Sequence, residues 1–292
     1  MIKKVFVASD IHDDIEALVK FTDYAQAQHA DGMWVLGDFS LKPYTVEALE
    51  EVLESKDIGK FIEAKEKTNL EILAQMKGVL DNSGLEYRVI PGNYDPDILS
   101  VFGGRDLHKK TSMFGDAKIV GYGGADAFPQ HIALLNQINE IVPFDHNELY
   151  TLLKKEKPQI VLTHNPPQQF CDDMFNGQNV GTPATTKYIM ENNPKLVCGG
   201  HIHEAGPNGN NPSGVKSIAK YSNTIIVNPG NLGRFELLHF PSLETNMKFD
   251  YGTFSELHLD TDSSVKKIKN YSLKSPERKI GKIEKISEVV FP

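Results

Sequence analysis

The chain of 292 residues has few cysteines, no long apolar run and no excess of positive charge. Its two cysteines, Cys171 and Cys198, are too few for a disulfide framework and indicate a reducing compartment. No apolar stretch reaches the roughly 18 residues that a membrane span needs, and the first apolar run, Val5–Ala8, is too short for a signal peptide. The sequence therefore predicts a cytoplasmic protein with no membrane partner.

The charge balance is acidic overall and basic near the C-terminus. A formal net charge of −8 disfavours nucleic acid as a partner, because a protein that coats nucleic acid needs a basic face. Within residues 264–292, however, eight Lys and Arg stand against three Glu. This segment is either an arm that docks on an acidic partner or on a second subunit of a homo-oligomer, or a solvated strand.

Short apolar segments that are rich in β-branched residues recur along the chain and predict buried strands. They are Lys4–Ala8, Met33–Leu36, Tyr87–Ile90, Ala117–Val120, Gln159–Thr163, Lys195–Cys198 and Thr224–Val227. Helical patterns lie between several of them, at Asp14–His29, Thr45–Leu80, Asn147–Glu156 and Thr182–Glu191. This alternation predicts an α/β fold, and later strand-like segments without helices, from Lys216 to Leu259, predict a second, mixed sheet.

The predicted organisation is a single domain over residues 1–260, followed by a basic C-terminal extension over residues 261–292. A helical insertion at about residues 45–80 is long for a plain connection. It is either a lid over a site or an ordinary outer helical layer.

Five of the predicted strands end in residue types that bind metal ions. The first leads into Asp10-Ile11-His12, whose outer side chains point to the same side of extended chain. A second pair of this kind is His201-Ile202-His203, and single residues Asp38, Asn93 and His164 follow three other strands. Since open α/β sheets place ligands at the carboxyl ends of buried strands, these side chains are expected to converge.

Each motif alone is weak. Asp-x-His recurs at Asp106-Leu107-His108 without a buried strand before it, and Pro-Gly-Asn recurs at Pro229-Gly230-Asn231. A lone His164 is usually a hydrogen-bonded loop histidine, and a lone Asp38 is usually a turn residue. The ordered set of five strand ends is what indicates a dinuclear metal centre.

In this order the motifs resemble those of the calcineurin-like metallophosphoesterase superfamily, and the resemblance spans about residues 1–235. It implies an α/β sandwich of two mixed β-sheets flanked by helices. It also implies two metal sites that share Asp38. The first would be formed by Asp10, His12, Asp38 and His203, and the second by Asp38, Asn93, His164 and His201. Val227–Gly230 is similar to an Asn-Pro-Gly stretch of the family and is interpreted as scaffold, with Asn231 as a decoy.

The ligand types suit a catalytic pair of divalent cations. Oxygen and imidazole donors without thiolate favour manganese, with iron, zinc, nickel or magnesium as alternatives. The resemblance implies a phosphoesterase in which a metal-bridging hydroxide attacks a small phosphate ester in line, because coordinated water loses its proton near neutral pH.

One departure from the family's motifs narrows the class of phosphate ester that we expect as the substrate. Many members read Gly-Asn-His-Asp or Gly-Asn-His-Glu, whereas this chain reads Gly92-Asn93-Tyr94-Asp95. In this the motif resembles a branch of small prokaryotic phosphodiesterases that lack the histidine. A phenol is a poor general acid at neutral pH, so we expect a preference for phosphodiesters, or for monoesters with good leaving groups. We expect Tyr94 and Asn165, which adjoin ligands, to contact substrate. Other polar residues are interpreted as surface or packing positions, namely Asp126, His131, His108 and His146.

Alternative functions remain open at this point. They are a phosphomonoesterase or a nuclease of the same fold, and a non-catalytic scaffold that binds a protein. All seven ligand positions are filled, which favours the enzyme over the scaffold.

Overall fold

The described part of the chain is organised as two six-stranded β-sheets and a two-stranded ribbon. The structure is a computed structural model that describes residues 2–40, 57–126, 139–207, 217–238, 245–273 and 282–292, together with residues 47, 51, 54, 55 and 136. Across these ranges, no helix combines the length and the apolar character that crossing a bilayer demands.

The described helices are α1 (Ile15–Ala27), α2 (Ile58–Asn82), α3 (Ile98–Phe102), α4 (His146–Glu156) and α5 (Pro183–Asn192). The strands of the first half are β1 (Lys3–Ala8), β2 (Gly32–Val35), β3 (Tyr87–Val89), β4 (Lys110–Phe114), β5 (Ala117–Tyr122), β6 (Ile160–Thr163) and β7 (Leu196–Cys198). Those that follow are β8 (Ile218–Tyr221), β9 (Thr224–Val227), β10 (Phe235–Leu238), β11 (Thr245–Phe249), β12 (Gly252–Leu259), β13 (Val265–Leu273) and β14 (Ile283–Val290).

Both large sheets are mixed. The first has the order β14-β13-β12-β1-β2-β3, with β1, β2 and β3 parallel and β12, β13 and β14 joined by antiparallel pairing. The second has the order β4-β5-β6-β7-β9-β8, with β5, β6, β7 and β9 parallel. The carboxyl ends of the parallel strands in each sheet therefore lie at one edge, where α/β proteins build sites.

The side-chain alternation of β1 shows how the layers pack. Val5 and Val7 point into the apolar core between the two sheets, while Phe6 and Ala8 point into a second core under α1 and α2. A third core lies between the second sheet and the helices α4 and α5. The predicted fold class, an α/β sandwich of two mixed sheets flanked by helices, is confirmed.

The long helix α2 occupies much of the predicted insertion. Its apolar face, with Leu73, Met76 and Leu80, is buried in the core that α1 also covers. Asp57 caps its first turn by accepting a hydrogen bond from Lys60 N. The described part of the insertion is therefore an outer layer rather than a lid, and most of residues 45–56 lie outside the described ranges.

The basic C-terminal segment continues the first sheet. The predicted boundary at residue 260 falls in the turn between β12 and β13, and both β13 and β14 are hydrogen-bonded members of that sheet. Within it, Lys269 of β13 donates to the carboxylate of Glu256 in β12 over 2.8 Å. Much of the positive charge of this segment thus belongs to sheet strands rather than to a projecting arm.

Glu256 is a buried acid with three donors. It is 1 % exposed and accepts hydrogen bonds from His258, Lys269 and Tyr271. Burial opposes ionisation, but these three hydrogen bonds outweigh it and hold the pKa of Glu256 below its ordinary value. Stability from this group is therefore present at neutral pH, and it is lost as the pH falls from the unfolded-state pKa through the lower folded-state pKa.

Replacing Glu256 by Gln should lower the free energy of unfolding at pH 7 by about 1 to 3 kcal/mol, because the partly buried end of Lys269 then faces a neutral amide in place of its counter-charge. The difference from the wild type, measured by urea unfolding, should shrink toward pH 3. Glu71→Gln on the exposed side of α2 is the matched control. An equal loss of stability at pH 3 and pH 7 would contradict this account.

Candidate metal centre

The predicted strand-end residues gather into two groups that could hold metal ions. In the first, Asp10, His12 and His203 each offer a ligand atom within 4.8 Å of the others. His203 Nε2 lies 3.1 Å from Asp10 Oδ1 and 3.2 Å from His12 Nε2. Asp10 and His12 follow β1 of the first sheet, and His203 follows β7 of the second. This group therefore joins the two sheets.

The second group contains Asp38, His164 and His201, again within 4.8 Å. Asn93 adjoins it, because its Oδ1 lies 3.1 Å from His164 Nε2. His164 Nε2 also lies 3.4 Å from Asp38 Oδ2. All seven predicted ligand residues thus lie in or beside one of the two groups, and all are buried or partly buried.

The tautomer of His164 is set by the backbone. Its Nδ1 lies 2.6 Å from the carbonyl oxygen of Leu36, which can only accept, so Nδ1 carries a proton. In the neutral ring the lone pair is then on Nε2, which faces Asp38 Oδ2 and Asn93 Oδ1. In that neutral form three acceptor atoms meet at one point, so either a proton on Nε2 or a bound cation is needed to stabilise them.

The backbone of the site is strained. Four of the six clustered residues have positive φ, namely Asp10 (55°), His12 (48°), Asp38 (50°) and His201 (63°). Side chains other than glycine rarely adopt this conformation, and such strain concentrates where function requires it. The surrounding hydrogen bonds hold it in place: Ile11 N and His12 N both donate to Asp38 O, and His201 N donates to Asp10 Oδ2.

Burial and the two carboxylates set the pKa values of the four histidines in the site. Burial opposes protonation of His164, but the charge of Asp38 and their hydrogen bond outweigh burial and raise the pKa of His164 to about 9. The pKa of His203 is raised in the same way by Asp10, against burial. Burial lowers the pKa values of His12 and His201 to about 4. Two buried carboxylates therefore demand positive charge, which protons or metal ions can supply.

The residues fit a pair of divalent cations. Carboxylate, amide and imidazole donors converge without a thiolate, which is the donor set of catalytic rather than structural metal sites. The meeting of acceptor atoms around His164 Nε2 and the short approach of the His12 and His203 Nε2 atoms both call for positive charge at those points.

The buried side chain of Asp95 holds two of the ligand loops together. Asp95 accepts hydrogen bonds from the amides of Phe39, Ser40 and Gly92, so it ties the loop after β2 to the loop after β3. Burial and the charge of Asp38 raise its pKa to about 7. The role of Asp95 was missed from the sequence, although it ends the motif that begins at Gly92.

Asn228 supports the other side of the site. Its amide nitrogen donates to the carbonyls of Cys171 and Ile202, and its Oδ1 accepts from Gly230 N. The loop that carries His201 and His203 is therefore anchored by the segment Val227–Gly230, which the sequence analysis interpreted as scaffold.

The family model for calcineurin-like phosphoesterases matches residues 3–205. The chain belongs to the calcineurin-like phosphoesterase family. A comparison with curated proteins found no match. The matched range includes all seven predicted ligand positions, and the resemblance stated from the motifs is confirmed.

Solved structures support the same fold. One has a TM-score of 0.64 at 19 % identity and covers 98 % of this chain and 100 % of its own. The protein TT1561 of Thermus thermophilus has a TM-score of 0.53 at 18 % identity, covering 84 % of this chain and 97 % of its own. A dimetal phosphatase from Danio rerio has a TM-score of 0.52 at 11 % identity, covering 92 % and 95 %. At these identities the likeness concerns the fold alone.

Tyr94 stands at the position where many calcineurin-like phosphoesterases carry histidine. Its backbone N–H donates to Asp38 Oδ1 over 3.2 Å, so the residue adjoins the second group. Burial and the charges of Asp38 and Glu140 raise the pKa of its phenol to about 12. The phenol therefore keeps its proton at neutral pH and can donate a hydrogen bond.

Asn165, the second predicted substrate contact, is fully buried and donates to Asp126 Oδ2 over 3.3 Å. Asp126 Oδ1 in turn lies 3.2 Å from His146 Nε2. The structure thus links Asp126 and His146, which the sequence analysis set aside, to the residue after a ligand. His108 accepts from Gly123 N and Asn231 donates to Gly233 O, so both have structural partners, while His131 lies outside the described ranges.

An aromatic ribbon covers the first group of this phosphoesterase. The rings of Phe235 in β10 and Phe249 in β11 stack with centroids 4.7 Å apart. The ring centroid of Phe235 also lies 4.0 Å from that of His12 and 4.8 Å from that of His203. A cavity of about 390 Å³ opens beside His12 and this aromatic pair, with Arg234 and charged residues of the ribbon on its walls. β10 lies in the region, from Lys216 to Leu259, where strand-like segments were predicted, but its contact with the site was not predicted.

Gly92 is required by a close approach rather than by its own φ. A Cβ atom there would lie 1.9 Å from Asp38 Oδ1 and 2.1 Å from Asp38 N, so any side chain would displace a ligand loop. By contrast, a Cβ atom at Gly78 in α2 would meet nothing within 4 Å. Alanine substitutions at these two glycines therefore compare a tightly packed position with an open one.

Gly92→Ala should lower the free energy of unfolding by more than about 2 kcal/mol, because overlap with backbone cannot relax cheaply. Gly78→Ala should instead raise it by about 0.5 to 1 kcal/mol, because alanine favours the helix. Urea unfolding of both variants tests the contrast. A Gly92→Ala protein as stable as the wild type would show that the loops are not packed as described.

Proposed function

We propose that the chain is a phosphodiesterase that uses two divalent cations to hydrolyse a small phosphate ester. The observation that supports this most strongly is the convergence of acceptor atoms around His164 Nε2, with Asp38 Oδ2 at 3.4 Å and Asn93 Oδ1 at 3.1 Å. Membership of the calcineurin-like phosphoesterase family supplies the reaction class, which is metal-dependent hydrolysis of phosphoric esters.

In this proposal each cation is held by one group, with Asp38 shared. The first would be bound by Asp10, His12, Asp38 and His203, and the second by Asp38, Asn93, His164 and His201. When bound, such cations lower the pKa of coordinated water toward neutrality and offset negative charge on a phosphate. Manganese suits the mixed oxygen and imidazole donors best.

The protein itself contributes orientation and charge. The hydrogen bond from Nδ1 to Leu36 O keeps the His164 ring directed at the site. Phe235 packs against the rings of His12 and His203, and Phe249 packs against His203, so the aromatic pair orients both histidines. The cavity beside His12 offers space for the organic part of the ester.

A preference for diesters follows from Tyr94. Protonation of the leaving group matters most for alkyl monoesters with poor leaving groups, and the phenol of Tyr94 is too weak an acid to supply that proton at neutral pH. It can still donate a hydrogen bond to a phosphate oxygen. Asn165, which adjoins His164, is the second proposed substrate contact.

The remaining assignments extend the sequence predictions. We infer a cytoplasmic enzyme whose partner is a small phosphate ester rather than nucleic acid. A monoesterase or a nuclease of the same fold, or a non-catalytic scaffold, would share the geometry, but the filled ligand set favours catalysis.

Metal content tests the two groups separately. The wild type should retain two equivalents of manganese per chain after dialysis and hydrolyse bis(p-nitrophenyl) phosphate. His203→Gln should lose one equivalent and His164→Gln the other, each with a fall in kcat of at least about 100-fold, because a site that lacks a ligand binds its ion weakly. Metal analysis by mass spectrometry gives the stoichiometry.

His29→Asn is the control for this experiment, since His29 is an exposed histidine with a positive φ that asparagine tolerates. Its metal content and activity should equal those of the wild type. Full metal content in both ligand variants would refute the assignment of these groups.

Tyr94 variants test the diester preference. Tyr94→Phe should leave kcat for diester hydrolysis within about threefold of the wild type, because the phenol transfers no proton, while KM rises with the lost hydrogen bond to the phosphate. Tyr94→His should raise kcat/KM for alkyl phosphomonoesters, since an imidazole can protonate the leaving group. Native hydrolysis of glycerol phosphate at a rate above that of any diester would count against the preference.

A further inference from the structure

The strand β14 is an exposed edge. It is the last strand of the first sheet, and among the described residues no strand pairs with its outer side. Residues 284–290 are all exposed, and Val290 is 67 % exposed. A long edge strand with exposed apolar side chains offers unpaired backbone groups to another strand, while the bulge and the charged side chains along it restrict which strand can pair with it.

The backbone groups that point outward can be identified from the register. Phe291 N donates to Lys266 O, and residues then alternate, so Glu288 and Val290 direct their N–H and C=O groups away from β13. The register shifts at the bulge around Ile286, after which Glu284 faces Ser272 of β13. The outward residues on the other side of the bulge are therefore Ile283 and Lys285.

This outward set is symmetric about a point between residues 286 and 287. In an antiparallel pairing of two identical strands around that point, Lys285 faces Glu288 of the second copy, and Ile283 faces Val290 of the second copy. Within one copy Lys285 already donates to Glu288 over 2.8 Å, so the pairing sets two such ion pairs side by side with opposite charges facing across the axis, while Ile283 meets Val290. The bulge is what makes the two halves match, because in a regular strand residues 285 and 288 would point to opposite sides.

We propose that two copies of the chain associate through β14, antiparallel and in this register, so that the first sheets of both copies form one continuous sheet. The occupant of the edge is a second copy because the strand is complementary to itself in charge and in outward backbone groups. A two-fold axis that passes between Ile286 and Ser287 gives a closed dimer.

Charge reversal tests the register. The wild type should have twice the chain mass by light scattering after size exclusion. Lys285→Glu and Glu288→Lys should each be monomeric, because each places like charges opposite one another. The double variant that carries both changes should regain the dimer.

Lys154→Glu is the matched control, since Lys154 forms an exposed ion pair with Glu191 on α4 and α5, away from β14. It should remain dimeric. Hydrolysis of the diester and metal content, measured alongside, report on the proposed function independently of assembly.

A second measurement covers the case in which a charge variant folds poorly. Zero-length carbodiimide coupling of a mixture of ¹⁴N and ¹⁵N wild-type chains should yield a mixed-isotope peptide pair that joins Lys285 to Glu288. A wild type that is monomeric throughout a dilution series, or a dimer that both single charge reversals leave intact, would overturn the proposal. A dimer joined by other peptides would also overturn it.

Discussion

The structure depends on the gathering of two buried carboxylates and four imidazoles at the edges of two sheets. Asp10 and Asp38 are 0 % and 2 % exposed, and no lysine or arginine neutralises them among the described contacts. Burying charge without a partner is costly, so positive charge must be present, as protons on His164 and His203 or as metal ions. The strained loops that carry these residues are tolerable because such charge draws them together.

The packing of the two sheets against each other brings these six residues together. Each group takes residues from both sheets, so the loops after β1 and β2 must meet those after β6 and β7. The loops can approach closely because Gly92 packs against Asp38 without a side chain. On the other side, the Asn228 amide donates a hydrogen bond to the loop that carries His201. Asp95 joins the loop after β2 to the loop after β3 by accepting hydrogen bonds from three backbone amides. The site is thus a consequence of the fold and also a bridge between its halves.

Much of this was predictable from the sequence, and the remainder has physical reasons. Buried parallel strands such as Ile160–Thr163 are continuous apolar runs, and the ligand that follows each is visible in the chain. The edge strand β4 was missed, and β14 was left open between a docking arm and a solvated strand, because exposed strands mix charged with apolar residues and lack the buried signature. The contact of Phe235 with His12 was also missed, because it joins residues more than 200 positions apart and leaves no local pattern.

The most direct test of the account is anomalous diffraction from crystals grown with manganese, with data collected on both sides of the manganese absorption edge. The account predicts two peaks, one among Asp10, His12 and His203 and one among Asp38, Asn93, His164 and His201, with Asp38 between them. A single peak, or peaks remote from these side chains in crystals that contain the metal, would contradict it.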